Sequence, residues 1–486
     1  MNCPLICRYL GYLLWVEAGC MVPPLLIATY YKQGDAPSFL FSIILLTLAG
    51  GVMSLCPVRQ KRMYGRDGFA IVAIGWLLIS IFGALPFVIS GAIPSPVDAF
   101  FEAVSGFTTT GASILQKVEG LPNGILFWRS FTHWMGGMGV LVLMLALNPN
   151  GRIGSNGAIS ILKAESPGPT PEKLVPRMDH AARILYAIYC VMTVVEILFL
   201  RIGRMPLLDS LIHTLGTAGP GGFSNKNLSV AAYHSPYLEL VIAVFMLLFG
   251  VNFTLYYFLI HKNFRAVLHD EELRFYFGTV AVSTALIALN LCRSMPVPVP
   301  EALRQSFFQV SSVITTTGFS STDFATWPFF SQAILVLLMF LGPCSGSTGG
   351  AIKSVRIVVL FKIARREVAK IIHPHSIYRV RLNGRAMEEE TISSILSFFF
   401  LYIAVFTCAL FLILPDGKDL VTSFTAVAAT LGNIGPGLGL VGPLGNFSGF
   451  SPFSKLVFSF SMILGRLEIL PVLVVLAPGC WVKSRG

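Results

Sequence analysis

Two stretches of this 486-residue chain set a run of hydroxyls directly before a glycine: Thr108-Thr109-Thr110-Gly111 and Thr315-Thr316-Thr317-Gly318. Around them the segment from Phe100 to Ser113 matches the segment from Phe307 to Ser320 at one constant offset, so the second is an internal repeat and not a chance Thr-rich tract. Strands of this kind are oxygen sources. A dehydrated monovalent cation needs a ring of oxygen ligands, and carbonyls of an extended strand in a narrow passage supply them densely. Glycine gives such a strand the positive φ that turns successive carbonyls towards one axis, while the threonine hydroxyls add oxygens and stiffen it. A single Thr-Gly pair is equally a helix end with its C-cap. Repetition in register is what separates the two readings.

Two weaker copies complete the set. Taking Gly222 as the counterpart of Gly111 places Asp209 on Asp98 and sets Gly222-Phe223-Ser224 against Gly318-Phe319-Ser320. The best fourth counterpart is Gly435, inside the glycine-rich run from Leu431 to Gly439, with a register free to shift by a residue or more. The candidate cation ligands, largely through their carbonyls, are therefore Thr109, Thr110 and Gly111 in the first copy and Gly221 and Gly222 in the second. The third copy supplies Thr316, Thr317 and Gly318, and the fourth Asn433, Ile434 and Gly435. The second copy departs from the others at Pro220, which has no N–H and a fixed φ.

The elements that position these strands lie in a bilayer. The chain is 54% hydrophobic and 12% charged with mean hydropathy +0.73, far below the roughly 25% charge of soluble proteins. Apolar runs of spanning length fall near 9–30, 39–57, 69–91, 124–147, 181–200, 236–260, 275–292, 329–361, 392–414 and 452–477, ten spans with both termini on the cytosolic side. The first is longer than a signal-peptide core and is read as a retained helix. The four loops 94–122, 205–236, 296–328 and 415–452 are read as re-entrant, since hydrocarbon tolerates irregular backbone only where it is buried in protein or lines water.

The formal charge of +11 does not indicate nucleic acid. Its lysines and arginines cluster in alternate loops: Arg59 to Arg66, Arg152 to Arg183, Lys262 to Arg274 and Lys362 to Arg385, the distribution of the positive-inside rule. Nine scattered cysteines without CxxC spacing indicate neither a disulfide framework nor a zinc site. Enzyme signatures of the Walker, serine-elbow, zinc-protease and dinucleotide types are absent.

Helix, re-entrant loop, helix, four times over with TTTG-type strands, resembles the Trk/Ktr/HKT superfamily of potassium transporters. The segments Tyr64 to Phe69, Leu341 to Ser354 and Ile463 to Glu468, with two extra helices at the N-terminus, narrow the resemblance to its bacterial TrkH/TrkG branch. It implies an all-α membrane protein in which four tandem repeats (68–180, 181–272, 273–386 and 387–486) surround one pore after two leading helices (1–67). It further implies K+ as the transported ion with no bound organic cofactor, a homodimer in the bacterial inner membrane, and control by a cytosolic ring of TrkA-type nucleotide-binding subunits. A coupled H+ or Na+ secondary transporter is the alternative, although repeats that all enter from the same side favour a channel-like pore over inverted repeats.

Two features read as a gate. The eighth span is interrupted by Gly342, Pro343, Gly346, Ser347, Gly349 and Gly350, a composition that cannot hold a helix, because glycine costs about 1 and proline about 3 kcal/mol relative to alanine. In the family this is the intramembrane gate loop, with Lys353 and Arg356 beyond it expected at the cytosolic mouth; a static kink is the competing reading. Arg466 in the last span is read as a positive charge beside the pore, or as an arginine satisfied by gate-loop carbonyls. Asp98, Glu102, Asp209, Glu301, Asp323, Asp416 and Asp419 lie around the outer loops, where acids can concentrate cations, although each by itself is read as a polar, solvated residue; His213 aligns with Glu102 as a hydrogen-bonded helper of the strand.

Overall fold

The computed structural model describes residues 1–58, 65–139, 178–374 and 378–477. The end of the expected fourth span, Arg59, Lys61, Arg62, Tyr64 and most of the basic cluster from Arg152 lie outside them.

The regular secondary structure of the described residues is helical apart from a small ribbon, Arg381–Leu382 paired antiparallel with Arg385–Ala386. Its first half contains α1 (Cys3–Cys20), α2 (Val22–Tyr31), α3 (Ala36–Ser54), α4 (Gly65–Gly83), α5 (Leu85–Ile89), α6 (Pro96–Phe107), α7 (Asn123–Gly137), α8 (Met178–Ile202), α9 (Leu207–Ala218) and α10 (Pro236–Phe249). Then follow α11 (Phe253–Ile260), α12 (Phe264–Leu268), α13 (Glu271–Ser294), α14 (Val299–Ile314), α15 (Phe329–Leu341) and α16 (Ser354–Ile372). The last are α17 (Glu389–Ile413), α18 (Leu420–Leu431), α19 (Pro452–Arg466) and α20 (Leu470–Leu476).

Six helical stretches among the described residues are long and apolar enough to cross a membrane, and two bent pairs bring the number to eight. Of the ten spans read from the sequence, the run 124–147 is described only to Gly139, and the run 329–361 is two helices separated by an irregular segment. Three expectations are corrected. The first span begins at Cys3 and carries Arg8 inside it, where the guanidinium donates to Cys56 O at 2.8 Å. The run 236–260 bends by 91° after Phe249, and the run 452–477 bends by 116° after Arg466. Neither is one straight helix.

The short helices α6, α9, α14 and α18 lie in the four loops read as re-entrant. Their starts are written in the sequence. Ser95 caps α6 through the Asp98 N–H, with Pro96 in its first turn, and Asp419 caps α18 through the Thr422 N–H; α9 and α14 follow Pro206 and Pro298. Proline suits a first helical turn because the N–H it lacks is unpaired there anyway.

Packing closes these helices into a ring. Each touches the long helix before it and the one after it, and also the inner helix of the preceding unit: α6 against α19, α9 against α7, α14 against α10 and α18 against α15. The C-terminal ends of the four therefore converge on one axis.

Candidate ion-conduction site

Each re-entrant helix ends in the same backbone turn. The N–H of the residue before the key glycine reaches back to a carbonyl in the last helical turn: Thr110 to Ser105 at 2.9 Å, Gly221 to Gly216 at 3.0 Å, Thr317 to Ser312 at 2.9 Å and Ile434 to Ala429 at 2.8 Å. This correspondence sets the register of the two weaker copies as Gly222 and Gly435, opposite Gly111 and Gly318. In three strands φ is positive at every second residue: 55° and 78° at Thr109 and Gly111, 61° and 84° at Thr316 and Gly318, 55° and 96° at Asn433 and Gly435. Alternating the hand along an extended strand brings consecutive carbonyls, which otherwise alternate in direction, to one side. The second strand holds only Gly222 at positive φ, 69°. Pro220 stands where the others have a left-handed residue, and its ring forbids that conformation.

The strands close on one another. A Cβ on Gly111 would lie 1.6 Å from Gly221 O, one on Gly222 2.3 Å from Thr317 O, one on Gly318 2.2 Å from Ile434 O, and one on Gly435 2.6 Å from Thr110 O. Each glycine faces the carbonyl of the residue before the next glycine, and the fourth returns to the first. No side chain fits there.

Buried polar contacts hold this ring from behind. Glu102 Oε1 accepts Arg129 Nε at 2.9 Å and Nη2 at 2.7 Å, while Oε2 accepts the Ile114 N–H at 3.0 Å. Ser113 Oγ adds a bond to Oε1 at 2.9 Å, and the Arg129 guanidinium lies 4.1 Å over the Phe223 ring of the second strand. In the second unit His213 takes the place of Glu102, bridging Asp209 O at 2.8 Å and Ser224 Oγ at 3.0 Å. Asn433 Nδ2 ties the fourth strand to Thr110 Oγ1 of the first at 3.0 Å and to Met462 O of α19 at 2.9 Å.

Beyond the glycines opens a cavity of about 140 Å³ lined by Gly111, Gly222, Gly318, Gly435 and the residues that follow them. Its lining contains no aspartate or glutamate, and its charged groups are Lys226 and the paired Arg129.

On the opposite side the segment 342–353 lies under the ring. Gly350 N–H donates to Thr316 Oγ1 at 2.9 Å, and Ser345 N–H and Val355 N–H are both held by Glu272 Oε1, at 2.6 and 3.0 Å. Lys353 Nζ donates to Gly349 O at 2.5 Å. Arg466, at the last turn of α19, donates to Thr348 O at 2.7 Å through Nη1, and through Nη2 to Gly136 O and Gly137 O at 2.5 and 2.7 Å. One guanidinium thus joins α7, the loop and α19.

A model of the cation transport proteins termed TrkH matches residues 36–479. The chain belongs to the TrkH family. The Trk system potassium uptake protein TrkH of Salmonella typhimurium is 36% identical over 481 residues, covering 98% of this chain and 99% of that protein. Trk system potassium uptake protein TrkG of Escherichia coli is 35% identical, covering 97% of each. The crystal structure of the potassium transporter TrkH from Vibrio parahaemolyticus superposes with a TM-score of 0.89 at 32% identity, covering 99% of this chain and all of that one.

Within this TrkH-family frame several sequence expectations change. Lys353 and Arg356 do not face an open mouth: both are buried, Arg356 in an ion pair with Glu468 and against the Phe398 ring at 4.1 Å. The acids expected around the outer mouth are occupied as caps and counter-ions. Asp98 pairs with Lys455 at 2.6 Å, Glu102 with Arg129, and Asp209 with Asn225 and Tyr233, both at 2.7 Å. Glu301 pairs with Arg304 at 3.8 Å and accepts Gln305 Nε2 at 3.0 Å, Asp323 accepts the Ala325 N–H, and Asp416 the Ser451 N–H. Asp419 caps α18, and the hydroxyl and N–H of Thr422 hold its carboxyl below the usual carboxylate range. Arg129, Glu272 and the Asn433 side chain escaped the sequence reading. An arginine inside an apolar run was the signal for the first; nothing local marked the other two.

Proposed function

We propose that the chain takes up K+ across the bacterial inner membrane through a channel-like pore on the axis of the ring, with both termini cytosolic. In this reading the strands Thr109 to Gly111, Gly221 to Gly222, Thr316 to Gly318 and Asn433 to Gly435 are the selectivity filter, K+ is the transported ion, and the four repeats keep the boundaries given above. The carrying observation is the cyclic approach of each key glycine to the carbonyl before the next, which sets four carbonyl-bearing strands around one axis. The curated relatives, potassium uptake proteins by name, point to the same ion. Gly342, Pro343, Gly346, Ser347, Gly349 and Gly350, with Lys353 and Arg466, form the gate, moved by a TrkA-type nucleotide-binding ring on a homodimer. The chain is a transporter and not an enzyme.

Two measurements test this. Expressed in a potassium-uptake-deficient bacterium, the chain restores growth at low external K+, and its current reverses at the K+ equilibrium potential; a reversal that follows the proton or Na+ gradient instead establishes coupled transport. Gly318→Ser puts a side chain 2.2 Å from Ile434 O on a residue at φ 84°. Strain of about 1–3 kcal/mol in the strand is expected to lower K+ over Na+ discrimination about tenfold at unchanged membrane abundance. Unchanged ion preference would remove Gly318 from the filter.

A further inference from the structure

Four equivalent positions stand two residues before the key glycines: Thr109, Pro220, Thr316 and Asn433. Their side chains do different things. The Thr109 hydroxyl is buried and has no hydrogen-bond partner among the described residues, Pro220 carries no polar group, and the Asn433 amide ties strand to strand and to α19. The Thr316 hydroxyl alone among them accepts a bond from the gate loop, the Gly350 N–H at 2.9 Å.

The loop is also shaped to reach this contact. A Cβ on Gly349 would lie 2.9 Å from Thr315 O and 3.0 Å from Thr316 Oγ1, and one on Gly350 2.7 Å from Gly432 O and 2.9 Å from Asn433 Cβ. Both glycines are pressed against the undersides of the third and fourth strands, closer than any side chain allows. Thr316 is a β-branched residue held at φ 61°, a conformation that persists only where surrounding contacts impose it.

We propose that Thr316 is a positioning residue for the gate: its hydroxyl latches the closed loop to the third filter strand, so that one filter residue both lines the ion path and holds the barrier beneath it. This rests on reading 342–350 as the gate. Withdrawal of the loop breaks the Gly350–Thr316 bond and leaves the third strand, like the first, with an unbonded hydroxyl at its base. Gate position is thereby communicated to one strand of the four.

The test is Rb+ uptake by proteoliposomes holding the purified full chain without any cytosolic partner, in the parent and in a background lacking residues 345–348. Thr316→Val keeps the branched shape and deletes the acceptor; Thr316→Ser keeps the hydroxyl. With the loop intact, Val raises the leak about fivefold, the factor that one net hydrogen bond sets, and Ser raises it less than twofold. In the shortened background Val produces no further rise, as a double-mutant cycle demands of a contact with the loop. Thr316→Ala, measured alongside with the thermal midpoint of each preparation, serves if Val disturbs folding. Equal effects of Val in both backgrounds, or none in either, overturn the latch. A shortened loop that leaks no more than the parent overturns the gate reading itself.

Discussion

Arg129→Leu is expected to cost about 3–5 kcal/mol of stability, the penalty for stranding a buried carboxylate once its partner is gone, and to lose most of the folded protein from the membrane. Both side chains are almost fully enclosed, at 2% and 0% exposure. Glu102 gathers Arg129, Ser113 and the Ile114 N–H behind the first strand, while Arg129 reaches Ser224 O at 3.4 Å and Phe223 behind the second. The pair therefore fastens two neighbouring strands of the ring. Thermal unfolding in detergent, followed by fluorescence-detected gel filtration, measures the loss. The double variant Glu102→Gln/Arg129→Met removes both charges and should recover a large part of it relative to Arg129→Met alone. Equal midpoints for the single and double variants would show that packing, and not the stranded charge, sets the cost.

What the sequence disclosed and what it hid divide along a physical line. Thr-Gly pairs in register were legible because their function is backbone conformation, and the residue types that permit positive φ or stiffen a strand are few. The entry prolines and the caps Ser95 and Asp419 were legible for the same reason. The breaks after Phe249 and Arg466 were not. Glu468 and Ile469 sit at φ 56° and 65° with neither glycine nor proline between Arg466 and Ile469. That bend is imposed from outside, by the Glu468–Arg356 ion pair and by the approach of Gly465 to the Leu431 carbonyl, where a Cβ would lie 2.0 Å away. Tertiary contacts of this kind overrule local propensity and leave no local mark. The outer acids were legible as polar residues, but not their partners, because each loop satisfies its own backbone and its neighbouring lysines and arginines through contacts that are distant in sequence.

The Arg466 variants are expected to give the largest change in flux. Two mechanisms compete for this residue, repulsion of the passing cation by its charge and mechanical bridging by its donors, and the three bonds to Thr348, Gly136 and Gly137 make the second substantial. Charge-assisted bonds are worth about 1.5–3 kcal/mol each, so losing two of the three releases the loop from α7 with a free energy comparable to the electrostatic barrier. That barrier is roughly 4 kcal/mol for unit charges 4 Å apart at an effective dielectric of 20. Lysine keeps the charge, but its ammonium is a compact point that lacks the guanidinium's planar fork. It cannot serve Thr348 and the Gly136–Gly137 pair in the same way. In proteoliposomes without a cytosolic partner, Arg466→Gln, which loses charge and fork together, should raise Rb+ leak about a thousandfold, the factor that the electrostatic barrier alone sets. Arg466→Lys, which keeps the charge and gives up one of the three bonds, should raise it about tenfold. Leak that is the same for Lys and Gln would assign the whole effect to the hydrogen bonds, and a Lys variant as tight as the parent would assign it to charge. Because Thr348 lies two residues before Gly350, a loop released at Arg466 also loosens the Thr316 contact, and the Arg466→Lys/Thr316→Val double variant should leak less than the product of the two single effects.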